Sequence, residues 1–348
     1  MKPIRLLQVG LGGWGRDWAW RVIPDVTEVE VAGYVDRDSA ALDQLGVELP
    51  SSKNLRFSSF KEAIAVAKPE AVLITTTLGG HVPLARTAID AGLHVLVEKP
   101  FASGVAEAEK LVRAAATRGV TLMVSQNYRF FPATRTVARL VAEAALGSLY
   151  DVAIDFRRYS APSSNGRARH HQDEQPLLVD MSIHHFDLLR FILRREPDRI
   201  FCEAWNPEWT AFAGPSVAAA TIKIGDVFVS YRGSWVSAGP ITPWAGEWRM
   251  QFERGEIFWT SRDDDGALAD RVVVRPRGGR ARSLRLPDLR VDRWATLSEF
   301  ASAIREGREP ECSGHENLGT LAFMEAAVES ATRHQQVEVR RVGTPAHA

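Results

Sequence analysis

The sequence predicts an α/β protein: an N-terminal doubly wound parallel sheet over residues 1–126, then an α+β domain over residues 127–348 built on an open, largely antiparallel sheet. Three observations predict this. Short apolar runs alternate with amphipathic stretches up to Ser125, and long alternating runs replace them afterwards. A length of 348 residues suits about two domains.

In the first half, Ile4–Val9 reads as a buried strand and Gly13–Val22 as a helix. Val29–Val35 is a second strand, followed by a helix over Ser39–Leu45. Leu55–Phe57 is a short strand before a helix over Phe60–Ala67. Ala71–Thr75 and His94–Val97 are strands flanking a helix near Val82–Ala91. Val105–Arg118 has apolar residues at helical spacing, and Thr121–Ser125 is a sixth strand. Unbroken apolar runs such as AVLI and HVLV fit strands covered on both faces, as in parallel sheets.

In the second half, Pro132–Ala145 reads as a helix, Tyr150–Tyr159 as a strand and Leu177–Leu193 as an amphipathic helix. Between the last two, Ser160–Gln175 is rich in Ser, Gly, Arg and His and reads as an exposed loop. Six alternating runs follow, Ile200–Ala204, Val217–Ile224, Val227–Ser234, Glu247–Phe252, Glu256–Thr260 and Arg271–Val274. With few helices among them, they predict the open sheet. Helices near Arg293–Glu306 and Glu316–Thr332 close the chain.

Composition narrows the function. Lys+Arg and Asp+Glu both number 43, so there is no positive excess to hold nucleic acid or an acidic membrane. Cys202 and Cys312 are too few for a disulfide scaffold and form no zinc pattern. No apolar run approaches the ~20 residues of a membrane span. The apolar start carries Arg5 and Gln8 and runs into a glycine cluster, unlike a signal peptide. A cytoplasmic location is expected.

That cluster, Gly10-Leu-Gly12-Gly-Trp-Gly15, directly follows the first strand and opens the first helix. Gly10 permits the tight turn, Gly12 lets the backbone approach a pyrophosphate, and Gly15 allows close helix–sheet packing. Gly13 and Trp14 complete the loop. The helix start supplies N–H groups and a positive dipole end for phosphates. Asp36 ends the second strand, where a ribose 2′-hydroxyl would sit. A carboxylate there favours NAD, while Arg37 beside it keeps NADP open.

From these residues on, the chain resembles the Gfo/Idh/MocA oxidoreductases, the glucose–fructose oxidoreductase and inositol dehydrogenase group. The resemblance rests on the glycine fingerprint with Asp36, on ITTTLGGHVPLARTAIDAGLHVLVEKP at 74–100, on QNYRFFP at 126–132 and on DMSIHHFD at 180–187. Two positions depart from the family pattern. Gln175-Pro176-Leu177 stands where a glycine run is usual, and Ser182 replaces a glycine. The resemblance implies a Rossmann domain, a catalytic Lys99 beside the reacting hydroxyl, and Asn127 on the nicotinamide side of the cofactor.

Glu98-Lys99-Pro100 follows the fifth strand at its carboxyl end, where ligands bind in open α/β sheets. An ammonium there stabilises the alkoxide character that develops as hydride leaves, and Glu98 is grouped with it as a cofactor-side residue. Asp180 and His184 lie four apart on the predicted helix and share a face; His184 is the natural general base, and Asp180 contacts substrate or biases the imidazole. His185 points well away. Either His184 or Lys99 can accept the hydroxyl proton. Thr75, Thr76, Thr77 and His81 are expected to line the cofactor trough, although His81 reads equally well as part of the helix start before Val82. Arg129 reads as a structural ion-pair residue. The cluster of His170, His171, Asp173, Asp180, His184 and His185 lacks metal-ligand spacing, and no metal is expected.

The expected activity is hydride transfer between a secondary hydroxyl of a sugar, cyclitol or related polyol and NAD or NADP. A non-catalytic NAD(P)-binding regulator and a glycoside hydrolase with a transient redox cycle are the alternatives. The late tryptophans suit a sheet-face core or a contact between copies, so a homo-oligomer through the second-half sheet is expected.

Overall fold

The computed structural model describes residues 2–160, 169–264 and 269–342. The chain divides into two compact units, residues 1–126 with 293–318, and residues 127–292 with 319–348.

The first unit holds six strands, β1 (Ile4–Val9), β2 (Val29–Val35), β3 (Arg56–Phe57), β4 (Ala71–Ile74), β5 (His94–Val97) and β6 (Leu122–Val124). All pair in parallel in the order β3-β2-β1-β4-β5-β6. The order reverses between β1 and β4, the switch point at which such sheets bind ligands beyond their carboxyl ends. Every residue of β4 is buried, as is β5 after His94, because helices cover both faces.

Those helices are α1 (Gly13–Asp17), α2 (Ser39–Glu48), α3 (Phe60–Ala67), α4 (Leu78–Asp90) and α5 (Val105–Arg118). Asp38 and Ser59 cap α2 and α3 through their side chains. Two helices differ from expectation. The predicted single helix from Gly13 to Val22 is an α-turn that continues as a π-helical segment, Trp18–Val22. Trp18, fully buried, opens this segment and donates to Glu98. Helix α4 begins at Leu78, before Gly79, Gly80 and Pro83, all of which read as helix breakers. Close packing accounts for Gly80, where an added Cβ would lie 2.6 Å from the Thr76 hydroxyl.

The second unit carries α6 (Pro132–Ala142) and α7 (Ser182–Leu193) against nine strands. These are β7 (Leu149–Arg157), β8 (Arg199–Trp205), β9 (Val217–Ile224), β10 (Val227–Ser234), β11 (Glu247–Phe252), β12 (Gly255–Thr260), β13 (Arg271–Pro276), β14 (Arg282–Ser283) and β15 (Val337–Glu338). Their order is β14-β13-β12-β11-β7-β10-β9-β8-β15, antiparallel except for the parallel pair β7–β10. The short strands β14 and β15 lack a sequence signal because two residues show no alternation.

Alternation sets the faces of this sheet. Val152, Ile154, Phe156, Tyr231, Trp248 and Trp259 point into the core, while Phe201, Trp205 and Phe228 stay exposed on the other face. Trp248 and Trp259 face each other across β11 and β12 with ring centroids 4.8 Å apart. Helix α7 starts at Ser182, five residues later than predicted. The Ser182 amide bonds back to the Leu177 carbonyl and closes a separate turn before the helix. Residues 161–168 of the predicted loop lie outside the described residues.

The chain closes with α8 (Asp292–Glu306) and α9 (Gly314–Arg333). Residues 293–318 belong to the first unit, which corrects the expectation of one continuous second domain over 127–348. The reason is a row of bonds along α8: Arg293 to Asp17, Trp294 Nε1 to Asp25 at 3.1 Å, Ser298 Oγ to Glu28 at 2.9 Å, and Arg305 to the Lys2 carbonyl.

Candidate functional site

The glycine loop of the first unit has the shape its sequence requires. Gly10 takes φ +97°, and a Cβ there would lie 2.7 Å from Thr76. A Cβ at Gly15 would collide with the Gly10 carbonyl. Gly12 and Gly13 differ: an added Cβ would meet nothing within 4 Å at either, so these two border open space at the start of α1. Gly12 caps α1 without a side chain, which leaves the first amides unobstructed. A cradle that is tight behind and open in front fits a diphosphate.

Asp36 is half-buried beside this loop. Its Oδ2 accepts from the Leu11 amide at 2.7 Å and its Oδ1 from the Asp38 amide at 2.9 Å. Each oxygen keeps a lone pair for a vicinal diol. Arg37 next to it is exposed.

The three threonines separate into different roles. Thr75 is buried, and its hydroxyl lies 2.7 Å from the Gly10 carbonyl and 3.2 Å from Gln8 Nε2, so it ties β4 to the glycine loop and faces away from the trough. Thr76 closes on Gly10, where an added Cβ would meet both its Cγ2 and its amide nitrogen. Thr77 is exposed and caps α4 without a side-chain bond, which leaves its hydroxyl accessible. His81 is 2% exposed. Its Nδ1 lies 2.7 Å from the Pro100 carbonyl and its Nε2 3.1 Å from the Thr76 carbonyl. Burial holds its pKa below the ordinary histidine value, and the ring sits between two loops, with a single N–H to give to one of the two carbonyls when neutral. That geometry favours the structural side of the two sequence readings.

Glu98 ends β5 as a buried carboxylate. One oxygen, Oε1, accepts from Trp14 Nε1 at 2.9 Å and from Trp18 Nε1 at 2.8 Å. The half-buried Lys99 follows, and its peptide to Pro100 is cis. Trp14 therefore runs from the loop after β1 to the end of β5. Arg293, a residue without a sequence signal, lies over its ring with Cζ 4.0 Å from the centroid.

In the second unit, His184 is buried near the start of α7 and stacks flat on Tyr128, with centroids 4.0 Å apart and planes 1° apart. The Tyr128 hydroxyl accepts from Arg262 Nη1 at 2.8 Å, and the Arg262 guanidinium sits 4.5 Å above the same ring. Burial pushes the Tyr128 phenol up to about 12, with Asp180 and Asp292 acting in the same direction and Arg262 opposing. Asp180 thus belongs to this surrounding, though it lies in the turn before α7 and not on the helix. Arg262 also lies 5.7 Å from the Trp244 ring, and Arg158 stacks on Trp244 at 4.1 Å.

The neighbours of His184 are structural. His185 is fully buried between the Tyr231 hydroxyl and the Trp244 carbonyl, each 3.1 Å away, and burial lowers its pKa to about 4. Asp187 receives a two-pronged ion pair from Arg129 at 2.6 and 2.5 Å and a bond from Thr320 at 2.9 Å. Ser182, at the family glycine position, bonds the Tyr231 hydroxyl at 2.8 Å. The Asn127 amide is committed to Asp292. Among the described residues, no group of three or more His, Cys, Asp or Glu is placed to hold a metal ion.

Sequence reasoning missed Tyr128, Arg262 and Arg293. Tyr128 sits inside the QNYRFFP block and was legible as an aromatic beside Asn127. Arg262 meets it from 134 residues away, a pairing without any local signal.

Among the described residues, no helix is long and apolar enough to cross a membrane. The profile of the oxidoreductase family with an NAD-binding Rossmann fold, GFO_IDH_MocA, matches residues 4–126, and that of the GFO/IDH/MocA C-terminal domain matches residues 134–258. A D-apiose dehydrogenase of Paraburkholderia graminis is 27% identical over 98% of this chain and 91% of its own. A D-xylose 1-dehydrogenase (NADP(+)) of Haloferax volcanii is 27% identical over 91% of this chain and 95% of its own. An oxidoreductase from Agrobacterium radiobacter, solved with NAD+, L-tartaric acid and magnesium, shares the fold at a TM-score of 0.83 and 21% identity, covering 97% of this chain and 98% of that one. With both halves matched in order, this chain belongs to the Gfo/Idh/MocA family of NAD(P)-dependent oxidoreductases.

Proposed function

We propose that the protein is a dehydrogenase that oxidises a secondary hydroxyl of a sugar, cyclitol or related polyol, and reduces the matching ketone or lactone in reverse. The observation that carries this reading is the end of β5, where Lys99 follows a Glu98 carboxylate anchored by two indoles beside an open glycine cradle. The pentose dehydrogenases among the relatives support a sugar substrate.

Gly12, Gly13 and the first amides of α1 hold the diphosphate, and Asp36 holds the adenosine ribose. Thr76 and Thr77 line the path between, and Trp14 walls the nicotinamide side. When bound, the nicotinamide supplies a hydride acceptor. Lys99 donates a hydrogen bond to the reacting oxygen and stabilises its growing negative charge. His184, supported by Tyr128, takes the hydroxyl proton, and Asp180 orients the substrate. A homo-oligomer forms through the exposed sheet face that carries Phe201, Trp205 and Phe228, where a second copy covers apolar surface that the chain leaves open. Light scattering tests that contact: a monomer at working concentration refutes it.

A panel of aldoses, cyclitols and polyols, each with NAD and NADP and followed at the nicotinamide absorbance, tests the activity. Reduction of cofactor by a polyol or aldose is expected. No turnover with any of them, or glycoside cleavage without net NADH, overturns the reading.

A further inference from the structure

Arg293 is the least expected charge in the first unit. It lies in the first turn of α8, is 4% exposed, and lies over two indoles, with Cζ 4.0 Å from the Trp14 centroid and 5.5 Å from that of Trp18. Its Nη2 pairs with Asp17, which also meets Arg21 at 3.4 Å. Its Nε and Nη1 are buried without a hydrogen-bond partner. A guanidinium so placed is held for its charge and its flat contact, not for a saturated set of bonds.

Trp14 carries that charge to the cofactor trough. The diphosphate cradle lies at Gly12 and Gly13, and Asp36 marks the adenosine side, at the end of β2. The nicotinamide half then extends the other way, over β4 and β5, where the Trp14 indole reaches Glu98. Arg293 covers one face of that indole. Trp14 is 45% exposed, so part of the residue remains open to a ligand.

We propose that Arg293, acting across the Trp14 ring, biases the bound cofactor toward its reduced form. Oxidised nicotinamide is a cation and reduced nicotinamide is neutral. A buried positive charge one indole thickness away penalises the first and leaves the second alone. Such a charge is poorly screened by salt. Asp17 offsets part of it. The Glu98 carboxylate favours the cationic form, but its effect is common to the parent and every variant compared, so it drops out of the comparison. Arg293 is thus a positioning and tuning residue, and the inference rests on the trough holding a dinucleotide with its nicotinamide over β4 and β5.

The test is the ratio of Kd for NAD+ to Kd for NADH, read by quenching of tryptophan fluorescence and by energy transfer to NADH, with no turnover needed. Arg293→Met removes the charge and keeps the stem, and should lower the ratio about fivefold or more. Arg293→Lys keeps the charge and should stay near the parent ratio. Asp17→Asn leaves Arg293 less neutralised and should move the ratio the other way, so it decides the matter if the Met variant fails to fold. Equal weakening of both forms by Arg293→Met, or an unchanged ratio in Asp17→Asn, overturns the proposal and leaves Arg293 as a prop for the loop. Failure of the parent protein to bind either form overturns the dinucleotide reading itself, and the proposal with it.

Discussion

His184 lies parallel to Tyr128, the planes 1° apart and the ring centroids 4.0 Å apart. The stack fixes the imidazole plane, and Arg262 fixes the tyrosine in turn through its hydroxyl. An aromatic pair of this kind contributes about 1 kcal/mol beyond its buried area. With His184 as the general base, His184→Ala should cut kcat and flatten the acidic limb of the pH–rate profile. Tyr128→Leu should lower kcat about tenfold through loss of orientation, while cofactor affinity stays unchanged. Normal turnover in both variants with a proven substrate would remove His184 from the mechanism.

As the proposed donor to the reacting oxygen, Lys99 should act most strongly where charge develops. Lys99→Ala should lower kcat on the order of a hundredfold with little change in NAD affinity, because the glycine loop and Asp36 carry that binding. Lys99→Arg should not restore it, since the guanidinium is wider and does not give up its proton. Steady-state kinetics beside a cofactor titration separate the two effects.

Asp36 accepts the Leu11 and Asp38 amides, and in the proposed site it also holds the adenosine ribose. Asp36→Ala should weaken NAD far more than NADP, because it removes bonds to the diol and lifts repulsion of a 2′-phosphate next to Arg37. It should also lower stability by about 1 kcal/mol through the lost amide bonds. Equal NAD affinity in the variant would place the ribose elsewhere.

His185 makes the fold acid-sensitive. Its folded pKa is about 4, set by burial, against 6.5 in the unfolded chain. The unfolded state therefore binds more protons between these values, and stability falls as pH drops from about 6.5 toward 4. The loss is on the order of 3 kcal/mol. His81, also shifted down by burial, acts in the same direction. Urea unfolding at pH 7, 5.5 and 4.5 should show the decline, and His185→Gln should flatten it. A slope unchanged in that variant would assign the sensitivity to another group.

The sequence by itself determined the elements whose physics is local. A fingerprint of glycines at fixed spacing forces a turn that only glycine allows at Gly10, and period-two alternation places Trp248 and Trp259 on one face of the second sheet. The reading of Arg129 as an ion-pair residue is met in its bonds to Asp187. Tertiary structure decided what depends on distant partners. The hydroxyl of Thr75 turns to the glycine loop, His81 settles between two carbonyls, and Trp18 meets Glu98 from a π-helical segment. Asp180 leaves the helix because the Ser182 amide closes on Leu177. Helix α8 returns to the first unit, and Arg293 meets Trp14 across 279 positions of chain. Periodicity reports which face of an element is apolar, but not which remote side chain will cover it; that choice belongs to the packing of the folded units.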